Sequence, residues 1–459
     1  MSSHSRQSSQ SSTPTLPPSP HKPRAYDGPS REEILALRRE YLNPGMLAYY
    51  DEPLCVVEGH MQYVWDERGR QYLDAAGGIV TVSVGHCHPE VTGRVQEQVG
   101  RLVHTTTLYL HPTVAQYGRR IAEHMPANSS LQQTYFGNSG SEANEYAVLL
   151  ARLHTGSNTV LGLRNGYHGG TGCTMRLTAI GDWKFSADGG LDVKYACPGY
   201  CYRCPLGLNY PDCDLQCAHG LESLIQTETA GRVACLIAEP IQGVGGVIVP
   251  PPEYFQVASE IVHRHGGLFI ADEVQTGWGR TGEHFWGFEN FGVVPDMVTM
   301  AKGIGNGAPL SAVTTRPEIA VHLAKKLHFN TFGGNPVSVT AGLATLDVID
   351  QENIQQRAKE IGGYLHQRLL ELQEKHALIG DVRGMGLLQA IELVKDRRTK
   401  APATEETKRL VEHVRNLGLL VGKSGSYWNT IRFAPPMCLT KADVDFLADC
   451  VDHGLTALA

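Results

Sequence analysis

The sequence predicts an α/β protein with one large, mainly parallel sheet and a second, smaller α/β domain. Three observations predict it. Between about residues 100 and 345, helical patterns alternate with short apolar runs, the signature of parallel strands covered by helices. After residue 345, long helical stretches (346–376, 405–416, 441–456) enclose strands such as 387–394. Finally, two largely apolar runs end in polar groups: 266–271 in Asp272, and 297–301 in Lys302. Buried parallel strands read as continuous apolar runs, and such sheets place ligands beyond their carboxyl ends.

Taken in order, the first 26 residues hold no acid and many Ser and Pro, as disordered tails do. Residues 31–50 have an amphipathic helical pattern, and 59–74 read as strands with a turn at 66–69. Clear strands follow at 134–136, 160–163, 234–238 and 267–271. The expected organisation is a disordered tail over 1–28 and an N-terminal segment over 29–100 that contributes to the small domain. A large domain over 101–345 and a C-terminal small domain over 346–459 complete it.

The 459 residues suffice for two or three domains with a large core. A net charge of -7, from 40 Lys+Arg against 47 Asp+Glu, gives no case for nucleic acid or an anionic membrane. No apolar run approaches the ~20 residues of a membrane helix. The acid-poor, Ser-rich start has the composition of a mitochondrial transit peptide, but Pro14, Pro17 and Pro18 oppose the amphipathic helix such a peptide forms. A cytoplasmic enzyme is therefore expected, with the mitochondrion as the alternative.

Of 11 cysteines, Cys197, Cys201, Cys204, Cys213 and Cys217 cluster. The spacing of the last four resembles a four-thiolate zinc clip, though its spacer is short; free thiols and disulfides are the other readings. In each case the role is structural, and no metal is expected at the catalytic residues.

A lysine among apolar groups and glycines can lose its proton and attack a carbonyl. A neighbouring aspartate can keep a pyridine nitrogen protonated. Lys302 and Asp272 are thus the catalytic pair that pyridoxal phosphate requires, a Schiff-base lysine and a pyridinium partner. Gly137 to Asn144 follow a strand and open a helix; Gly140 and Ser141 could cradle a phosphate there, although Ser141 could equally be a plain N-cap. Tyr167 could stack on a flat ring with Val274 on the other face. Gln275 could bond the ring's phenolic oxygen. Thr331, in the glycine-rich loop 330–336, offers a hydroxyl and an N–H to a phosphate. Arg432, between Ile431 and Phe433, calls for a carboxylate partner.

Together these residues resemble the class III (ω-) aminotransferases, over roughly 45–455. The motifs are Asn138-Ser-Gly-Ser-Glu-Ala-Asn144, Ala238-Glu-Pro-Ile-Gln-Gly243, Ala271-Asp-Glu-Val-Gln-Thr-Gly277, Ala301-Lys-Gly303 and Asn330-Thr-Phe-Gly-Gly-Asn335. The resemblance implies the fold type I transferase architecture, with a seven-stranded sheet and a small domain built from both chain ends. It implies pyridoxal 5'-phosphate as cofactor, and a homodimer with shared active sites (a tetramer is possible) in which Thr331 reaches the partner's phosphate. The segments 78–89, 298–307 and 380–384 look most like the alanine–glyoxylate aminotransferases of the class III type, whose relatives also handle β-amino acids. Two departures from other branches matter. A glutamate that masks the substrate arginine elsewhere is replaced by Val244, so Arg432 is expected to stay unpaired by that route, although an internal partner is the other reading. A glutamine used in decarboxylation is replaced by Ile79, which together with residues near Tyr109 is expected to bound the side-chain pocket. The expected reaction is ping-pong transfer of an amino group from alanine or a β-amino acid (β-alanine, 3-aminoisobutyrate) to glyoxylate or pyruvate. A phospholyase acting on an amino-alcohol phosphate, a racemase or aminomutase, and a non-catalytic binding protein of the same fold remain alternatives.

Overall fold

Strand propensity and burial divide the chain into three sheets in the computed structural model, which describes residues 13–185 and 190–458. Near the N-terminus β1 (Val56–His60), β2 (Tyr63–Asp66) and β3 (Gln71–Asp74) form an antiparallel meander. The central sheet holds β4 (Gln133–Gly137), β5 (Thr159–Leu163), β6 (Asp192–Ala196), β7 (Cys235–Ala238), β8 (Leu268–Asp272), β9 (Met297–Met300) and β10 (Ser311–Thr315). The third consists of β11 (Ile379–Met385), β12 (Leu388–Asp396), β13 (Ala401–Pro402), β15 (Gly422–Ser424) and β16 (Thr430–Phe433), while β14 (Leu419–Leu420) leaves it to pair with β3. The last pairing joins the two chain ends into one layer.

The central order is β4-β10-β9-β8-β7-β5-β6, parallel throughout except for β10, which runs against β4 and β9. Every residue of β7, β8 and β9 is buried, as their apolar sequences demand of strands covered on both faces. Asp272 closes β8 directly opposite Thr299 of β9, and Lys302 lies just beyond β9. Both groups therefore emerge at the carboxyl edge of adjacent strands.

Two local expectations are corrected. The helix expected over 31–50 spans only Arg31–Tyr41 and ends at Leu42. Pro44 explains the stop: it disfavours helical backbone at Asn43. Residues 13–28, expected as part of a disordered tail, are instead docked on the first sheet. Leu16 packs against the core, Gln71 Nε2 donates to Pro17 O at 3.0 Å, and His21 stacks on His60 while pairing with Glu58 at 2.6 Å. Residues 1–12 lie outside the described residues.

Candidate active site

Lys302 begins a short 3-10 turn, Lys302–Gly305, with a left-handed backbone (φ 47°). Such a conformation strains a non-glycine residue and is held here by the surrounding loops. One of those is clamped by Ser83, whose Oγ donates to Gly303 O at 2.7 Å. The lysine opens into a cavity of about 320 Å³ that Gly140, Ser141, Tyr167, Asp272, Val274 and Gln275 also line. Burial holds the Lys302 amine below its ordinary range; Asp272 opposes this, Arg432 reinforces it, and Glu239 opposes it again.

Asp272 is fixed from three directions. Its Oδ2 accepts from Asn144 Nδ2 at 2.8 Å and from His168 Nδ1 at 2.7 Å, and its Oδ1 accepts from Val274 N at 3.2 Å. All three partners are donors, as a carboxylate requires, and Oδ1 retains capacity for another. Asn144 is itself anchored by Thr299 Oγ1 at 2.7 Å. Burial alone would lower the His168 pKa, but the hydrogen bond and charge of Asp272, with help from Glu239, raise it above its ordinary value. The imidazole thus sits behind the carboxylate, with Nδ1 turned towards it.

The expected phosphate end differs in one detail. The helix Gly140–Thr155 is capped by Ser139, whose Oγ accepts from Glu142 N at 3.2 Å, and not by Ser141. Ser141 is left to face the cavity, where its Oγ accepts from Gly170 N at 3.2 Å. A Cβ on Gly169 would stand 2.2 Å from that Oγ, and φ at Gly169 is 131°, so only glycine lets the loop approach so closely. A helix N-terminus with a hydroxyl and small residues suits a phosphate. With the buried amine, the spare acceptor on Asp272 and the space between Tyr167 and Val274, the donor set fits pyridoxal phosphate.

Arg432 is buried on β16 and has an internal partner: its Nη1 donates to Gln275 Oε1 at 3.0 Å. A buried guanidinium does not stay without an acceptor, and with valine at 244 the amide of Gln275 supplies one. Gln275 also leans towards Glu239 (Nε2 to Oε2, 3.4 Å). Glu239 is a buried hub that accepts from Tyr167 N at 3.0 Å and Gly243 N at 2.9 Å. Burial pushes its carboxyl up to about 7 against the pull of His168, with Asp272 adding to the rise.

Thr331, Ile79 and Tyr109 are exposed and are not among the residues lining the cavity. Ile79 sits in a turn, Gly77–Val80, in which all four residues have positive φ. Sequence reasoning assigned no role to His168, Asn144 or Glu239. Asn144 and Glu239 lie within the motifs that carried the resemblance, which was the available signal; His168, next to Tyr167, lies outside them. The five clustered cysteines are free thiols, and among the described residues no group of three or more His, Cys, Asp or Glu is arranged to hold a metal. Their loop is tied to β12, where Arg203 and Tyr200 both bond Glu392.

Comparison with known proteins agrees with this geometry. The family model "Aminotransferase class-III" matches residues 47–455. The chain is 48% identical over 443 residues to an Arabidopsis thaliana protein named alanine–glyoxylate aminotransferase 2 homolog 2, mitochondrial, covering 96% of this chain and 91% of that one. It is 42% identical over 464 residues to the human alanine–glyoxylate aminotransferase 2, mitochondrial, covering 96% and 90%. Among solved structures, an aminotransferase of Bacillus anthracis superposes with a TM-score of 0.87 at 30% identity, over 93% of this chain and 98% of that one. This chain belongs to the class III aminotransferases, and it is an aminotransferase with the fold type I architecture.

Proposed function

We propose that the protein uses pyridoxal 5'-phosphate to move an amino group from alanine or a β-amino acid to glyoxylate or pyruvate by a ping-pong mechanism. The observation that carries this reading is the placement of Lys302 and Asp272 in one cavity, with the guanidinium of Arg432 bonded to the Gln275 that lines it. The names of the Arabidopsis and human relatives support the choice of substrates.

The cofactor, when bound, supplies an electron sink for the charge left on the donor's carbon. The protein's own groups do the rest. Lys302 Nζ, its pKa lowered by burial, would hold the cofactor by its aldehyde and is the group placed to take up and hand on the donor's C–H proton. Asp272, fixed by His168 and Asn144, would keep the cofactor's ring nitrogen protonated. Tyr167 and Val274 would flank the ring, Gln275 would serve its oxygen, and Gly140 and Ser141 would hold the phosphate. Arg432 orients the substrate carboxylate. Gln275 is a neutral partner, so the positive charge of Arg432 is not cancelled by it, which suits α- and β-amino acids.

The active site is completed by a second copy of the chain. Tyr109, Leu110 and Phe332 are 71%, 104% and 60% exposed, an apolar rim that a homodimer would cover. Thr331 then serves the partner's phosphate, and Ile79 and Tyr109 bound the substrate pocket. The cytoplasmic placement expected from the proline-rich start finds no support, because both named relatives are mitochondrial; we place this enzyme in the mitochondrion as well. A phospholyase would need cationic groups for the substrate phosphate in addition to Arg432, and Lys302 is the one Lys or Arg among the described residues lining the cavity. The test is the visible absorption of the purified protein with pyridoxal phosphate, before and after L-alanine or β-alanine. Conversion to the amine form by either donor, reversed by glyoxylate, is expected. A spectrum that neither donor changes would overturn the substrate assignment.

A further inference from the structure

Arg432 stands on a hairpin whose tip is fastened to the opposite side of the cleft. In β15–β16, Gly422 pairs with Arg432 and Ser424 with Thr430, so residues 425–429 form the turn. That turn belongs to the third sheet but touches loops of the central sheet at successive points. Gly425 N donates to Val244 O at 2.9 Å. Asn165 Nδ2 donates to Ser426 Oγ at 2.5 Å. Trp428 Nε1 donates to Asp182 Oδ2 at 2.6 Å. The Trp428 ring also lies 6.4 Å from Trp183, which meets Tyr167 edge-on at 5.2 Å, and Tyr167 lines the cavity. Lys423 places its ammonium 5.6 Å from the Trp428 ring.

Trp428 holds a left-handed backbone (φ 54°), an unfavourable conformation for a bulky residue. Its indole is only partly covered, so burial alone does not fix it. A charge-assisted bond to Asp182 and a tilted ring contact with Trp183 do.

We propose that Asp182 and Trp428 form a latch that positions Arg432 for the substrate carboxylate. Both are positioning residues: neither lines the cavity. With the latch closed, the turn is pinned against Val244, and β16 carries Arg432 to Gln275. With it open, the tip is freed and the hairpin loses the anchor that sets the arginine's height in the cleft. The inference rests on the reading of Arg432 as the carboxylate anchor.

The test uses the holoenzyme and three variants: Trp428→Phe, Asp182→Ala and Asp182→Asn. Steady-state kinetics are measured with L-alanine and with 1-phenylethylamine, an amine that has no carboxylate. Trp428→Phe and Asp182→Ala are expected to raise KM for L-alanine about tenfold, the scale of one lost charge-assisted hydrogen bond, while kcat stays within about twofold. The carboxylate-free amine should show no such rise. Asp182→Asn keeps an acceptor oxygen and should recover most of the affinity. An unchanged KM, an equal rise for both donors, or an Asp182→Asn as impaired as Asp182→Ala overturns the latch.

A second readout does not depend on the substrate. Of the 5 tryptophans, Trp65, Trp278 and Trp286 are buried, so acrylamide quenching reports on Trp183 and Trp428. Asp182→Ala should increase quenching in the native background but not in Trp428→Phe. No increase in the native background overturns the latch even if the enzyme prefers another donor. A wild type that converts no amino acid, with the quenching difference intact, sinks the functional reading instead.

Discussion

The floor of the cavity and its rim are built on opposite principles. On the floor, Lys302, Asp272, Asn144, His168 and Glu239 are enclosed by one chain, and the Asp272 carboxylate has three donors. On the rim, Ile79, Tyr109, Leu110, Thr331 and Phe332 face outward with no cover. The floor's electrostatics act at short range in a dry setting, where each charge is worth more than it would be in water. The rim exposes apolar area, which favours association. In the proposed dimer, chemistry would belong to the protomer, while substrate selection and phosphate anchoring would belong to the assembly.

The largest effect should come from the floor. Lys302→Ala removes the amine that binds the aldehyde and moves the proton, so single-turnover transamination of L-alanine should fall by about ten-thousandfold or more. The left-handed backbone at 302 is retained and the fold should be little affected. A residual rate within about a hundredfold of wild type would take the proton transfer away from Lys302.

Arg432→Ala comes next. It removes the carboxylate anchor and strands Gln275 Oε1, which accepts from it at 3.0 Å. A charge-assisted pair is worth ~2–3 kcal/mol, so kcat/KM for L-alanine should fall about a hundredfold. An amine without a carboxylate should lose little. Equal losses for both donors would show that Arg432 supports the cavity rather than the substrate.

The rim offers a sharper separation. Leu110→Asp and Phe332→Asp place charges on the surface assigned to a second copy. Burying each apolar side chain contributes about 1.5–3 kcal/mol, so the dimer dissociation constant should rise at least tenfold for either change, as read by sedimentation. The melting temperature of the protomer should be nearly unmoved. A protein that sediments as a monomer before any substitution would remove the shared-site reading.

The two regions also differed in how legible they were. Lys302 and Asp272 could be read because each ends an apolar run that could only be a buried strand, and a polar group there points beyond the sheet. The seven-stranded sheet was implied by the resemblance, whereas its strand order, with β10 reversed, depends on pairings between distant segments. His168, Asn144 and Glu239 could not be assigned, since each works through a partner far along the chain: Asp272 is 104 residues from His168 and 128 from Asn144. Arg432 was found, but its amide partner was not, because an absent glutamate at 244 says nothing about which other acceptor is within reach. The docked segment 13–28 was hidden for another reason. A proline-rich stretch has no periodicity, and its contacts are made by the lone Leu16, a main-chain carbonyl and one histidine.

The smallest expected effect concerns the titration of Lys302, and its sign separates two neighbours on the floor. Burial and the charge of Arg432 lower this pKa below the ordinary 10.5, while Asp272 and Glu239 raise it. An electrophile reacts with the free amine only, so its rate of attack on Lys302 in the cofactor-free protein should rise with pH around a midpoint below 10.5. Asp272→Asn removes a negative charge that favours the ammonium, so the midpoint should move down. Arg432→Met removes a positive charge that disfavours it, so the midpoint should move up. Opposite shifts would place both charges within electrostatic reach of one amine. If the two variants shift it in the same direction, burial alone governs the lysine, and the floor would be tuned by exclusion of water rather than by the placement of its charges.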